Sequence, residues 1–364
     1  MRLPFRILEP AFFAGLADDP LLLVQVRPLG RSLLFDCGQI NHLAKRVLRS
    51  IDALFISHAH MDHFMGMDTF TRHILVSPRT IDIFGPPGIA ARLANKLAGY
   101  DWNLREDFWC SFRVHEVHPH RLRIFQLVGA EGFACRPQGE EDRCDLDIYA
   151  NRYLKVAADA GDHKIPVLFF RITEKAAFAL DENKMAAAGL APGDWLKTLK
   201  TLFFRGTLAG APISVLQQRG AAVEEAIRPD AAALYATIRR NDSPASLGYF
   251  TDLDFSDENR AKLRRLLHAV SLLVGECAYL RRDKERARAS RHLCTEDINS
   301  LLDDLRPAYF MPMHLSKSNL GHSQQLYDEI EPPPGTTLLR LPKRITPRPL
   351  LPDELPPSAR GRFR

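Results

Sequence analysis

The sequence predicts an α/β fold whose strands and helices pack in layers. Three observations lead there. Short apolar runs alternate with longer amphipathic segments, the pattern of strands and helices packed on one another. One run, Pro166–Ile172, is apolar almost throughout, as expected of a strand buried on both faces. Ligand-type residues stand at the ends of several runs, where α/β sheets carry their chemistry.

Taken in order, residues 21–37 read as two strands around a Pro-Leu-Gly turn, the second ending at Asp36. Residues 51–56 (IDALFI) form a short buried strand that stops just before a histidine cluster. Residues 81–84 give another strand, and Gly85-Pro86-Pro87-Gly88 is a turn leading into a helix at about 89–99. More strands follow through 112–170, among them Arg121–Val128, with the acidic stretch Arg136–Asp147 expected as a surface loop. From Glu174 to about Ser246 the pattern changes to helical, Ala-rich segments, expected as an inserted arm. Residues 257–272 and 283–305 read as amphipathic helices. The main domain is thus expected over 1–330, with a last strand at 336–341 and a flexible Pro/Arg-rich tail completing 331–364.

Hydrophobic residues make up 46% of the 364 and charged residues 26%, which suits a globular protein. No apolar run approaches membrane-spanning length, and the first twenty residues lack the pattern of a secretory signal. A cytoplasmic protein with no membrane partner is expected. The six cysteines are scattered without a C-x-x-C pair, which argues against a thiolate zinc site; they read as reduced thiols. The net charge of +5 suits a polyanionic substrate such as RNA without requiring one.

The chemistry is concentrated in FISHAHMDHFMG, which contains His58-x-His60-x-Asp62-His63. In an extended segment His58 and His60 point the same way, and Asp62 and His63 can face a second metal on the following turn. Imidazole and carboxylate are ligands that zinc prefers. Four ligands cannot complete two metal sites, so others are needed downstream. His163 before a buried strand, Asp252 at the end of LGYFTD and His314 at the end of AYFMPMH are the candidates. His115, His118 and His120 (VHEVHPHR) imitate a second cluster, but their spacing suits neither strand nor helix, and a surface loop is expected. Asp254 imitates Asp252 but lies beyond the strand end. The basic run Arg281–Arg291 reads as a solvated helix face that can also meet phosphates.

The order HxHxDH, DHKIPVLFFRITEK, FTD, GEC, HLCT and MHLS resembles the metallo-β-lactamase fold, specifically its ribonuclease Z branch, from about Leu33 to Leu315. GLAPGDWLKTLK resembles that family's substrate-gripping arm, and GECAYLRRDKERARASRHLCTED the segment with its accessory histidine. The resemblance implies a four-layer αββα sandwich with an inserted arm. It implies that His58, His60 and His163 hold one zinc, that Asp62, His63 and His314 hold the other, and that Asp252 bridges them; the same ligands also accept manganese or iron. It implies further that Asp62 orients the attacking water or takes its proton, and that His292, held by Glu276, protonates the leaving oxygen. A homodimer acting on RNA, removing the 3′ trailer of precursor tRNA, is the expectation carried by the family. The chain departs from the pattern in four places. FFAGLADDPLLLVQV replaces the Gly-rich segment with its Arg-Asn pair, APGD the Gly-Pro turn, Leu293-Cys294-Thr295 the Ser-Thr motif, and LSKSNL the Arg-Tyr after the last histidine. The alternatives are a phosphodiesterase on a small substrate such as a cyclic nucleotide, and a binding protein that has lost turnover. The complete ligand set argues against the latter.

Overall fold

The computed structural model describes residues 3–175, 178–220, 222–240 and 244–346. The first sheet runs in sequence order: β1 (Leu8–Phe12), β2 (Leu22–Val26), β3 (Arg31–Phe35), β4 (Ile51–Phe55), β5 (Thr80–Gly85), β6 (Ser111–Val117), β7 (Arg121–Val128) and β8 (Cys135–Asp142). Strands β3 to β6 are parallel, and the pairs at either side are antiparallel. The crossovers carry α1 (Lys45–Ser50), α2 (Met61–Phe64), α3 (Met67–Ile74) and α4 (Ile89–Leu97).

Alternation along the parallel strands divides their side chains between two faces. Leu34, Leu54, Ile83 and Val114 belong to one core with Leu48, Phe70, Ile74 and Leu93 of the helices. The neighbours Phe35, Phe55 and Phe84 lie in register across the sheet, their rings stacked at 4.8 and 5.0 Å. His115 is the next rung, stacked on Phe84 at 4.3 Å with Nε2 2.9 Å from Asp82. The expected surface loop around His115 is therefore corrected: His115 is buried inside β6, where an apolar ring face and a carboxylate both suit an imidazole.

Residues 136–147, expected as a loop, also need correction, because β8 occupies most of them. Its residues are exposed on both faces, so it has no apolar alternation to read; main-chain pairing with β7 makes the strand, and the edge position tolerates Pro137.

Antiparallel β9 (Asp147–Ala150), β10 (Leu154–Asp162) and β11 (Pro166–Glu174) begin the second sheet. The chain then builds a separate compact unit, Lys175–Pro244. This unit holds α5 (Glu182–Ala187), β12 (Leu190–Ala191), α6 (Trp195–Arg205), β13 (Ile213–Arg219), β14 (Ala222–Arg228) and α7 (Ala231–Ile238), around Trp195, Leu199, Ile213, Val215, Leu234 and Ile238. The segment, expected from its pattern to be helical, is not so throughout. β12, β13 and β14 form an antiparallel sheet, hidden in the sequence because Ala and Glu of β14 are strong helix formers on an exposed strand.

The main unit resumes with β15 (Ser246–Phe250), α8 (Asp257–Leu267), β16 (Leu272–Glu276), α9 (Lys284–Ser290), α10 (Thr295–Leu305), β17 (Tyr309–Met313), α11 (Ser323–Glu329) and β18 (Thr337–Leu338). The sheet order is β18-β17-β16-β15-β11-β10-β9, with β15 to β18 parallel. Both helices expected here are shorter than their patterns. The apolar run after Leu267 enters β16, which periodicity alone cannot separate from a helix. The second breaks at Arg291, whose left-handed φ of 55° ends α9 before α10 begins.

The inner faces meet through aromatic rings. Phe170 of β11 packs edge-on to Phe35 and Phe55 at 5.6 and 5.8 Å, and Tyr249 of β15 lies 5.9 Å from Phe35. With helices outside both sheets, the main unit is a four-layer αββα sandwich of the metallo-β-lactamase type. Its described end is fastened: Asp18 accepts from the backbone N–H groups of Gly15, Ile345 and Thr346. The expected Pro/Arg-rich tail lies, over 347–364, outside the described residues. No helix among the described residues is long and apolar enough to cross a membrane.

Candidate metal centre

Strand ends gather the ligand-type residues. His58 follows β4, His60 caps α2, and the single turn of α2 carries Asp62 and His63. His163 occupies the turn between β10 and β11, while Asp252, Glu276 and His314 stand at or just past the ends of β15, β16 and β17. Asp252 and His314 adopt left-handed backbone, with φ of 44° and 60°. Such a conformation costs about 1–3 kcal/mol in a residue other than glycine and turns the side chain out of the strand direction.

The donor atoms of His58, His60, His163 and Asp252 lie within 4.8 Å of one another, and so do those of Asp62, His63 and His314. Asp252 stands between the two groups. Its Oδ2 is 3.4 Å from His58 Nε2, 3.3 Å from His63 Nε2 and 3.9 Å from His163 Nε2, and its Oδ1 is 3.0 Å from His314 Nε2. His314 Nε2 is also 3.6 Å from Asp62 Oδ2.

Second contacts decide which ring nitrogen faces this centre. His63 Nδ1 donates to Asp36 Oδ2 at 2.9 Å and His163 Nδ1 to the Arg291 carbonyl at 2.7 Å. His58 Nδ1 donates to Ser57 Oγ at 3.0 Å, and Ser57 Oγ donates in turn to Asp36. With Nδ1 occupied, Nε2 is the free lone pair, the arrangement that orients metal-ligating histidines. His58 Nε2 and His63 Nε2 are buried without a hydrogen-bond partner. Orphaned buried nitrogens converging on one carboxylate are what a divalent cation satisfies, so the residues fit such an ion. Burial pushes the His163 pKa down to about 4 and also lowers that of His58, favouring the neutral form that ligates.

Beside this centre, His292 Nδ1 donates to Glu276 Oε2 at 2.8 Å and lies 3.9 Å from Asp252 Oδ1. Glu276 is fully buried, and its other oxygen accepts from the Leu253 N–H at 2.8 Å, which ties the Asp252 turn to the His292 pair. Burial works against an imidazolium at His292, but the charge and hydrogen bond of Glu276, with Asp252 behind them, outweigh it and push the pKa up to about 9. A cleft of about 480 Å³ opens over the centre, lined by His60, Asp62, His163, His292 and His314, with Tyr279 and Ser290 on one wall and Asp19 and Lys317 on another.

Six of the nine sequence-predicted residues line this cleft, His60, Asp62, His163, Asp252, His292 and His314, while His58, His63 and Glu276 are buried among them. Asp254 does not join them; its Oδ2 lies 3.9 Å from Arg291 Nη1. The basic run is neutralised within the chain: Arg281 pairs with Glu331, Lys284 with Glu296 and Arg288 with Asp297. Sequence reasoning missed Asp36, which ends β3 with a φ of 54° and accepts from Ser57 N–H, Ser57 Oγ, His63 and Tyr249 Oη. The available signal was a carboxylate closing the strand that neighbours the one before the histidine cluster.

This constellation has relatives. The model of the beta-lactamase superfamily domain matches residues 31–208. Ribonuclease Z of Deinococcus radiodurans is 30% identical over 290 residues, 78% of this chain and 82% of its own. Ribonuclease Z of Prochlorococcus marinus is 25% identical over 325 residues, covering 84% of this chain and 87% of its own. Among solved structures, the metallo-beta-lactamase fold protein YhfI of Bacillus subtilis covers 90% of this chain and 95% of its own at 12% identity and a TM-score of 0.48. A relative at 30% identity across most of both chains, together with converging ligands on this fold, leads to one conclusion: the chain belongs to the ribonuclease Z family and is a metal-dependent hydrolase.

Proposed function

We propose that this protein is a zinc-dependent phosphodiesterase that removes the 3′ trailer of precursor tRNA, acting as a cytoplasmic homodimer. His58, His60 and His163 would hold one ion, Asp62, His63 and His314 the other, with Asp252 shared. Two ions held so would supply an activated water and neutralise charge on the phosphoryl oxygens. The observation that carries the phosphodiesterase reading is the pair of buried Glu276 and cleft-lining His292, 2.8 Å apart beside the ligand groups. Cleaving a phosphodiester expels an alkoxide, which leaves poorly unless protonated. His292 faces the cleft with a proton that Glu276 helps it keep, and Asp62, half-exposed in the same cleft, orients the attacking water.

One observation favours a smaller substrate. Asp19 places a carboxylate in the cleft, its Oδ1 3.8 Å from Lys317 Nζ, so this pair offers a polyanion no net positive charge. The test sets both readings side by side: 3′-extended precursor tRNA and a nitrophenyl phosphodiester, each with added zinc and with a chelator. Zinc-dependent release of the trailer is expected. Cleavage of the small diester alone, even at low salt where phosphate contacts are strongest, would give the function to small phosphodiesters.

A further inference from the structure

Arg291 touches three parts of the site at once. Its left-handed backbone, φ 55°, ends α9 and turns its carbonyl to accept the His163 Nδ1 proton at 2.7 Å. Its guanidinium pairs with Asp162, the residue before His163, and lies 3.9 Å from Asp254, two residues past Asp252. Those two segments are joined directly as well, since Asp254 N–H donates to the Asp162 carbonyl at 3.0 Å. The residue after Arg291 is His292. Along the rest of the basic run Arg281, Arg282, Lys284 and Arg288 pair with Glu331, Asp283, Glu296 and Asp297, none of them a ligand, and Arg286 lies over the Tyr279 ring.

An imidazole held at Nδ1 cannot rotate, and its Nε2 stays aimed at one point. The atom that holds His163 is a backbone carbonyl, so its direction depends on the φ of Arg291 rather than on a side chain. The guanidinium Nη1 then ties that stretch of backbone to Asp162 and lies near Asp254, on both ligand-bearing turns. We propose that Arg291 is a positioning residue that orients His163 and places His292 together, so that metal affinity and protonation of the leaving group depend on the same amino acid. This rests on reading His163 as a ligand and His292 as the proton donor.

The test uses the full chain with Arg291→Gly, Arg291→Ala, Arg291→Val and Arg291→Lys. Glycine takes a positive φ freely, alanine less so, and valine hardly at all; lysine keeps the charge and loses the planar guanidinium. Zinc affinity is measured by competition with a chelating dye, and leaving-group dependence by the ratio of rates on nitrophenyl and phenyl phosphodiesters. Arg291→Val is expected to weaken zinc binding by about 10–100-fold and to slow the phenyl ester more than the nitrophenyl ester. Arg291→Ala should fall between valine and glycine, and glycine should keep only the several-fold loss that comes from removing the pair with Asp162. If valine unfolds the chain, Asp162→Asn decides instead, because it removes the partner and leaves the Arg291 backbone alone; a several-fold loss of affinity is expected. Wild-type affinity and an unchanged rate ratio in the folded variants, or equal losses for glycine and alanine, would overturn the proposal. Failure of the site reading looks different: the wild-type chain itself would then bind no zinc.

Discussion

Asp36 holds the site from behind although the sequence did not single it out as a site residue. Four donors converge on it, all buried, and one of them fixes His63. Asp36→Ala would strand the Ser57 N–H, the Tyr249 hydroxyl and His63 Nδ1. With about 1–3 kcal/mol for each buried group left unpaired, a loss of roughly 3–5 kcal/mol is expected in denaturant unfolding of the metal-free protein. Metal binding should weaken in parallel; unchanged stability would show that the network contributes little. His292 makes a different case, in which the larger effect is chemical. His292→Ala should keep both ions and lower turnover by roughly 10²–10⁴-fold on a poor leaving group, and far less on a nitrophenyl diester that departs unprotonated. The pH dependence has a definite sign. The imidazolium is the reactive form, so activity on poor leaving groups is retained below its pKa and lost as pH rises through it. That limb should fall at or below about 9, since bound cations lower the value set by Glu276. A pH profile without an alkaline limb, or one shared by both classes of leaving group, would remove His292 from the proton transfer.

At the scale of elements, what the sequence made legible was what carries a period or a ligand. The apolar runs near β4, β5 and β11, and the helix near α4, are recognisable because burial on known faces leaves a pattern. β8 and β14 were illegible because exposed strands held by backbone pairing leave none. In the site, side chains that ligate stood out by type, whereas Asp36 and the Arg291 carbonyl act through geometry that appears only once β3 and α9 are folded. His115 was misjudged for the same reason: its role as a rung depends on register with Phe84, which a local motif does not reveal. This yields a prediction with two readouts. Replacing His115, His118 and His120 together by Ala should leave metal content unchanged and lower stability by about 0.5–1.5 kcal/mol or more through the lost stack. A drop in bound metal would show that the wrong histidines had been chosen as ligands.

For the whole molecule, the decisive question is what the unit Lys175–Pro244 adds to a sandwich that already contains the complete cleft. The chain leaves and returns at one place. β11 and β15 are antiparallel neighbours with Thr173 opposite Ser246, and Glu174 N–H donates to the Ala245 carbonyl at 3.0 Å. A short Asn-Gly turn can therefore join the two strands where 70 residues now intervene, as in an ordinary hairpin. The inserted unit has its own core, and the ligand-type residues all belong to the other unit. Replacing 175–244 by that turn should therefore preserve folding and metal content. If the unit grips a large substrate away from the metals, its binding energy is available only to a substrate long enough to reach it. The shortened protein should then cleave a nitrophenyl diester at close to the full rate and lose precursor tRNA, chiefly through kcat/KM. Equal losses on both substrates would make the unit a structural support and remove the main argument for RNA. Undiminished cleavage of precursor tRNA would instead place the grip on the sandwich itself, with the walls of the cleft as the next surface to mutate.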